Sequence, residues 1–186
     1  MSLQTWSELI MNSQIDGTAV TTATPGASLI PPAAVVTLPA NYMQIGKVLR
    51  INVWGRVSNR VTGPDTLTIN VRYGAIQIAT SQAIPINLLA KANVSFWLQW
   101  CLTCRSIGNS TLATMMHQGT LQTESLIGAP LPTAGGSPLM SIPASAPAVG
   151  TGFDSTVAGT IDIFAFWSTG AVDSIQSHQY TLEALN

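Results

Sequence analysis

Charged side chains are scarce in this sequence: 7 Lys and Arg and 8 Asp and Glu make up 8% of its 186 residues, against about 25% in an ordinary soluble domain. With a formal net charge of -1 there is no basic footprint to displace counterions from nucleic acid or to hold an anionic membrane, and neither partner is expected. No run reaches the ~18 consecutive apolar residues of a membrane helix. Residues 1–15 carry no Lys or Arg and no secretory apolar core, so the expectation is a soluble chain made in a cytoplasm without a signal peptide. What the chain has instead is apolar bulk. Its 46% hydrophobic residues and mean hydropathy of +0.33 exclude disorder for most of its length, and 186 residues suffice for one sandwich or barrel domain with a sizeable core. Few charges also leave little to keep a monomer soluble or to blunt its sheet edges, so other copies or a larger assembly are expected to cover much of the surface.

Period-two alternation runs through five or more segments, and helical periodicity is faint everywhere except in the first dozen residues. In residues 47–58, Leu49, Ile51, Val53, Gly55 and Val57 share one face, and Arg50, Asn52, Trp54, Arg56 and Ser58 the other. Residues 66–73 repeat the pattern with Leu67, Ile69, Val71 and Tyr73 inward; the intervening Gly63-Pro64-Asp65 predicts that the two segments form a hairpin. Gly74 marks a bend into a short strand over 75–80. Residues 94–105 set Phe96, Leu98, Trp100, Leu102 and Cys104 inward and read as a central strand, paired through the Gly108-Asn109-Ser110 turn with a strand over 111–125. Residues 159–168 and 175–185 predict a closing hairpin around Thr169-Gly170-Ala171. With a short strand over 34–38, the fold class is all-β: a single-domain, jelly-roll-like sandwich of about eight antiparallel strands.

Two regions fall outside that pattern. Residues 1–32 read as an N-terminal arm ahead of a sandwich domain over 33–186. Residues 127–158 form one long Pro/Gly-rich loop within that domain, longer than structureless connections usually are. Leu139, Met140, Ile142, Val149 and Phe153 within it predict that it lies on a surface, its own or a neighbour's. The arm's Trp6, Leu9, Ile10 and Met11 predict a contact between subunits or a short amphipathic helix docked on the chain's own sandwich; both predict a shielded Trp6.

Catalytic chemistry finds few candidates. His117 and His178 have no ligand partner at zinc spacing and read as strand histidines. Nucleophile elbows, dinucleotide fingerprints and phosphate loops are absent. Cys101 and Cys104, three apart on a strand, face opposite sides and read as structural thiols. In Gly150-Thr-Gly-Phe-Asp154-Ser-Thr156 a single carboxylate is too thin a supply for calcium, and an Asx-type turn is favoured. No catalytic, cofactor-binding or metal-ligating residue is named, no cofactor is expected, and the chain is not expected to be an enzyme. One constellation stands out on the outward faces, where Arg50, Arg56, Arg72 and Arg105 share their strands' polar phase with Trp54 and Trp97. Arg and Trp suit an assembly interface; solubilising arginines or a covering layer from the same subunit explain them equally well.

The stretch Leu38-Pro-Ala-Asn-Tyr42 with residues 46–58 and 66–74, and near the end 150–156, 161–167 and 175–186, resembles small β-sandwich virion proteins of tailed bacteriophages. The resemblance implies a non-enzymatic structural protein on the capsid surface, foremost a decoration or cement protein that binds the phage major capsid protein and ties capsomers together. A homotrimer is the closed form suggested by analogy with jelly rolls. Trp6, Leu9, Ile10, Trp54, Trp97 and the four arginines are then the candidate assembly interface. A tail or head-tail component, or a carbohydrate- or receptor-binding virion module using Trp54 and Trp97, is the alternative.

Overall fold

The computed structural model describes residues 6–60, 65–126, 138–170 and 172–185. Its strands are β1 (Ser7–Asn12), β2 (Ala27–Ser28), β3 (Val36–Leu38), β4 (Val48–Asn59), β5 (Thr66–Tyr73), β6 (Ile76–Thr80), β7 (Ile84–Pro85), β8 (Lys91–Ser106), β9 (Thr114–Thr123), β10 (Leu139–Ile142), β11 (Ala148–Val149), β12 (Gly159–Trp167) and β13 (Ser174–Leu185). They form two antiparallel sheets. The larger runs β1-β13-β4-β8-β9-β10 with β11 also on β9; the smaller runs β2-β12-β5-β6 with β3 on β12 and β7 on β5. The expected all-β sandwich is what the chain forms, with more strands than alternation revealed. The additional ones, such as Ala27–Ser28 and Ala148–Val149, are too short to show any periodicity.

Each long strand buries the face its alternation selects. Leu49, Ile51, Val53 and Val57 of β4 and Leu98, Trp100, Leu102 and Cys104 of β8 meet Leu67, Ile69 and Val71 of β5 and Ile161, Ile163, Ala165 and Trp167 of β12 in one core. Trp167 secures its indole by donating to the carbonyl of Val20, 3.0 Å away, as a buried indole N–H requires. Gly55 sits where β13 bulges between Ser177 and Gln179. A Cβ there would lie 2.0 Å from the Gln176 carbonyl oxygen, so the bulge packs against β4 only because this residue has no side chain.

Two expected hairpins are absent. β4 pairs with β13 and β8 while β5 pairs with β12 and β6; β12 lies in the smaller sheet and β13 in the larger. Both connections cross the core instead of doubling back. A Gly/Pro-containing turn signals that the chain reverses, but a strand with one apolar face is satisfied equally by a neighbour in its own sheet or by a place in the facing sheet. Because β4 neighbours β13 and β5 neighbours β12, the two crossings lie side by side, and polar side chains tie them together. The buried Asp173 carboxylate accepts the N–H of Arg60 at 2.8 Å and of Asp65 at 3.2 Å. Asp65 in turn accepts from Arg60 at 3.2 Å, from Ser168 at 3.1 Å and from Thr169. The expected turn residues Gly63, Pro64 and Ala171 lie outside the described residues. By contrast β8 and β9 pair from Phe96↔Thr123 to Ser106↔Thr114 as expected.

Residues of the arm region join the sheets. β1 extends the larger sheet by pairing with β13, β2 pairs with β12, and Val20 bridges Ile175. Residues 7–12 are thus extended in the one region where helical periodicity was expected, because a free edge of β13 offers backbone partners that an isolated short helix lacks. In the loop region, β10 and β11 both pair with β9, Ile142 and Phe153 are buried, and Leu139 and Val149 stay exposed. Residues 138–158 therefore lie largely on their own subunit; 127–137, including Pro130, Pro132, Gly135 and Gly136, lie outside the described residues.

Candidate functional site

The outer face of the larger sheet brings together most of the sequence-derived candidates. Because register is continuous across β13, β4, β8, β9 and β10, side chains of equal phase line up in rows perpendicular to the strands. One row reads Gln179, Trp54, Trp97, Gln122, Leu139. Trp54 and Trp97 are direct cross-strand partners; Trp54 is half-buried and Trp97 is 36% exposed. Both line an open cleft of about 460 Å³, shared with Ser95, Phe96, Gln122, Thr123, Glu124 and Pro138. Pro138 is fixed as its wall by its carbonyl, which accepts the Thr123 N–H at 2.7 Å. An indole face framed by amides and hydroxyls can stack on the apolar side of a sugar ring while its neighbours hydrogen-bond the ring hydroxyls.

Charges on this face are largely matched. Arg50 meets Glu183 at 3.5 Å and Lys91 meets Glu124 at 3.5 Å. Arg56, next to Trp54 in phase, donates Nε and Nη2 to the Gln176 amide oxygen at 3.0 and 2.7 Å. Arg105 falls in the irregularity between Cys104 and Ser106 at the far end of β8. Arg72 does not join them. It lies on the other sheet, over the Phe164 ring at 3.6 Å and donating to the Pro25 carbonyl at 3.1 Å. The shared polar phase hid this because phase is defined within a strand, and β5 belongs to the opposite layer.

The remaining candidates are dispersed. Trp6 is 61% exposed and Leu9 57%, while Ile10 packs against the core. Docking on the chain's own sandwich thus does not shield Trp6. Cys101 and Cys104 are free thiols on opposite faces of β8, the second buried, with its pKa pushed up by desolvation. Asp154 makes the expected Asx-type turn, accepting the Thr156 N–H at 2.8 Å, its hydroxyl at 2.6 Å and the Ser110 N–H at 2.9 Å, which together hold its pKa down. His178 is paired with Asp16 at 3.0 Å. His117 is 2% exposed, edge-on to Trp100, and its Nδ1 has no hydrogen-bond partner among the described residues. Desolvation depresses its pKa; it is the expected strand histidine, with its Nδ1 left unsatisfied among the described residues. Among the described residues no three His, Cys, Asp or Glu side chains gather where they could hold a metal, and no helix is long and apolar enough to cross a membrane.

Sequence reasoning missed Gln122, Gln179 and Pro138 as neighbours of the tryptophans. The alternation of Gln118, Thr120 and Gln122 along β9 was a signal, but only the register places it beside Trp97.

No protein-family model matches the chain, and no curated protein matches it. A solved structure of the CBM2 module of the evolved Dit of Lactobacillus casei phage J-1, strain BL23 being the host named with it, is similar at 10% identity with a TM-score of 0.39, covering 99% of this chain and 98% of that one. At that TM-score the likeness carries no conclusion about function.

Proposed function

We propose that this chain is a non-enzymatic structural protein of a tailed-phage virion whose outer sheet face binds carbohydrate on the host surface. The sequence resemblance to phage β-sandwich virion proteins supports the first half. The observation that carries the second is the Trp54–Trp97 cross-strand pair opening into one cleft lined by the Gln122 amide, the Ser95 and Thr123 hydroxyls and Glu124. Five Trp are present, and Trp100 and Trp167 are fully buried core residues, so indoles left accessible on a polar face are set apart from packing. Glycan recognition combines such stacking with planar polar partners, and the matched charges nearby leave the cleft suited to an uncharged ligand.

A capsid decoration protein, trimeric and bound to the major capsid protein, is the second reading. It is favoured by the exposure of Leu9 on β1, an edge strand of the larger sheet, and of Trp6 just ahead of it. Tryptophan fluorescence of the full chain against a panel of bacterial cell-wall polysaccharides separates the two. The carbohydrate reading expects a saturable change that Trp97→Ala abolishes; no response to any polysaccharide, together with co-sedimentation with phage capsids, refutes it in favour of decoration.

A further inference from the structure

Beside the tryptophan row lies a second row that crosses the whole larger sheet. Its members are Asn12, Thr181, Asn52, Gln99, Thr120 and Ser141, contributed in turn by β1, β13, β4, β8, β9 and β10 through continuous register. All six side chains are uncharged, and all can both donate and accept hydrogen bonds. Adjacent strands are about 4.8 Å apart, so the six positions span roughly 24 Å in equal steps. Asn52 donates to Thr181 at 3.3 Å; Gln99 and Thr120, at the centre of the row, have no side-chain hydrogen bond to protein among the described residues.

We propose that this row is the track of an extended, unbranched, uncharged polysaccharide that lies across the strands, one sugar unit over each strand, with Trp54 and Trp97 along its flank. The proposal rests on the carbohydrate reading above and adds the ligand's shape, direction and charge. The strand repeat is close to the length of one pyranose in an extended chain, so successive units meet equivalent partners without slipping out of phase. Hydroxyls and side-chain amides have the same double capacity as donor and acceptor, which suits a neutral sugar and leaves no buried charge unpaired. The carboxylates beside the row and cleft, Glu183 and Glu124, are engaged by Arg50 and Lys91, so the face offers an anionic polymer no free cation on the row itself. The row is exposed at Asn12 and Ser141, half-buried at Thr181, Gln99 and Thr120, and buried only at Asn52, whose amide is already turned to Thr181. A single sugar touches one or two side chains there and gains little, so affinity must accumulate over several units. An added peptide strand is a poor fit, because the backbone groups of β13, β4, β8 and β9 are already paired on both sides.

The test is calorimetric titration of the full chain with cello- and chito-oligosaccharides of one to six units. Each added unit brings one further pair of hydrogen bonds, so the dissociation constant is expected to tighten about threefold per unit, close to a hundredfold between two and six units, and then to level off. Gln99→Ala combined with Thr120→Ala should weaken the hexamer at least tenfold while leaving the dimer unchanged; both sites are on the outer face, and an unaltered melting temperature checks the fold. Equal affinity for dimer and hexamer, or indifference to the double substitution while Trp97→Ala abolishes binding, overturns the track and leaves the carbohydrate reading standing. No heat with any oligomer of either series, combined with no fluorescence response to the polysaccharide panel, overturns both. Self-association in sedimentation that Gln99→Lys disrupts assigns the row to a second copy of the chain and also overturns it.

Discussion

Asp173→Ala should be among the most damaging single substitutions outside the apolar core. Asp173 is fully buried, and its two oxygens accept the N–H groups of Arg60 and Asp65, which flank the crossing from β4 to β5. Its own position, just before β13, places it at the neighbouring crossing. Truncation removes two charge-assisted hydrogen bonds and leaves a buried donor on Asp65 and a partly buried one on Arg60. A hydrogen bond to a charged group contributes about 1.5–3 kcal/mol, and an orphaned buried donor costs about 1–3 kcal/mol in its place, so a loss of roughly 3 kcal/mol is expected once partial access of water to Arg60 is allowed. For a chain of this size that corresponds to a fall in Tm of about 10 °C. Urea denaturation should show a lower midpoint with an unchanged m-value, since the surface exposed on unfolding is the same. Asp173→Asn keeps one acceptor oxygen and should lose about half as much. A loss below about 1 kcal/mol for Asp173→Ala would refute the reasoning, because the paired crossings would then be held by packing alone.

Acid stability should fall in two windows. His117 is buried without a charged neighbour on β6, β9, β10 or β11, and its depressed pKa means that the unfolded state takes up a proton first. Its contribution is complete above the unfolded value of about 6.5 and is lost as pH falls through the folded value; His117→Gln should flatten the stability profile between pH 7 and 5, measured by urea midpoints. For Asp65, burial raises the pKa, but the Thr169 and Ser168 hydroxyls, Arg60 and the Gly170 N–H together outweigh it and leave a net lowering. Its stabilisation is therefore present above about pH 4 and lost below, and Asp65→Asn should remove that acid limb while lowering the midpoint at pH 7. Gly55→Ala should destabilise by about 2 kcal/mol or more, since the new methyl must displace the bulged β13 backbone; a thermal melt within 1 °C of the parent would contradict that contact. In native protein a thiol reagent should titrate Cys101 promptly, with Cys104 reacting only on addition of denaturant, because Cys104 is buried and its thiolate disfavoured.

Alternation in residues 47–58, 66–73 and 94–105 determined which side chains enter the core, and the tally of charges, histidines and motifs left little room for metal or nucleotide chemistry. These are local properties. A strand's two faces are set by consecutive Cβ directions, and a missing motif is missing wherever the chain goes. The turn at 63–65 announced a reversal of direction, yet whether β5 returns beside β4 or crosses to the facing sheet depends on which surface the whole set of strands leaves uncovered. That choice separated Arg72 from Arg50 and Arg56 and took residues 7–12 into an edge strand. The site shows the same division. Trp54 and Trp97 were legible as outward residues, but their meeting, and the rows that run from Gln179 to Leu139 and from Asn12 to Ser141, exist only through register across as many as six strands. Register is settled by bulges such as that at Ser177–Gln179 and by long-range backbone pairing. A shift of one residue in any strand would turn its contribution to the opposite face.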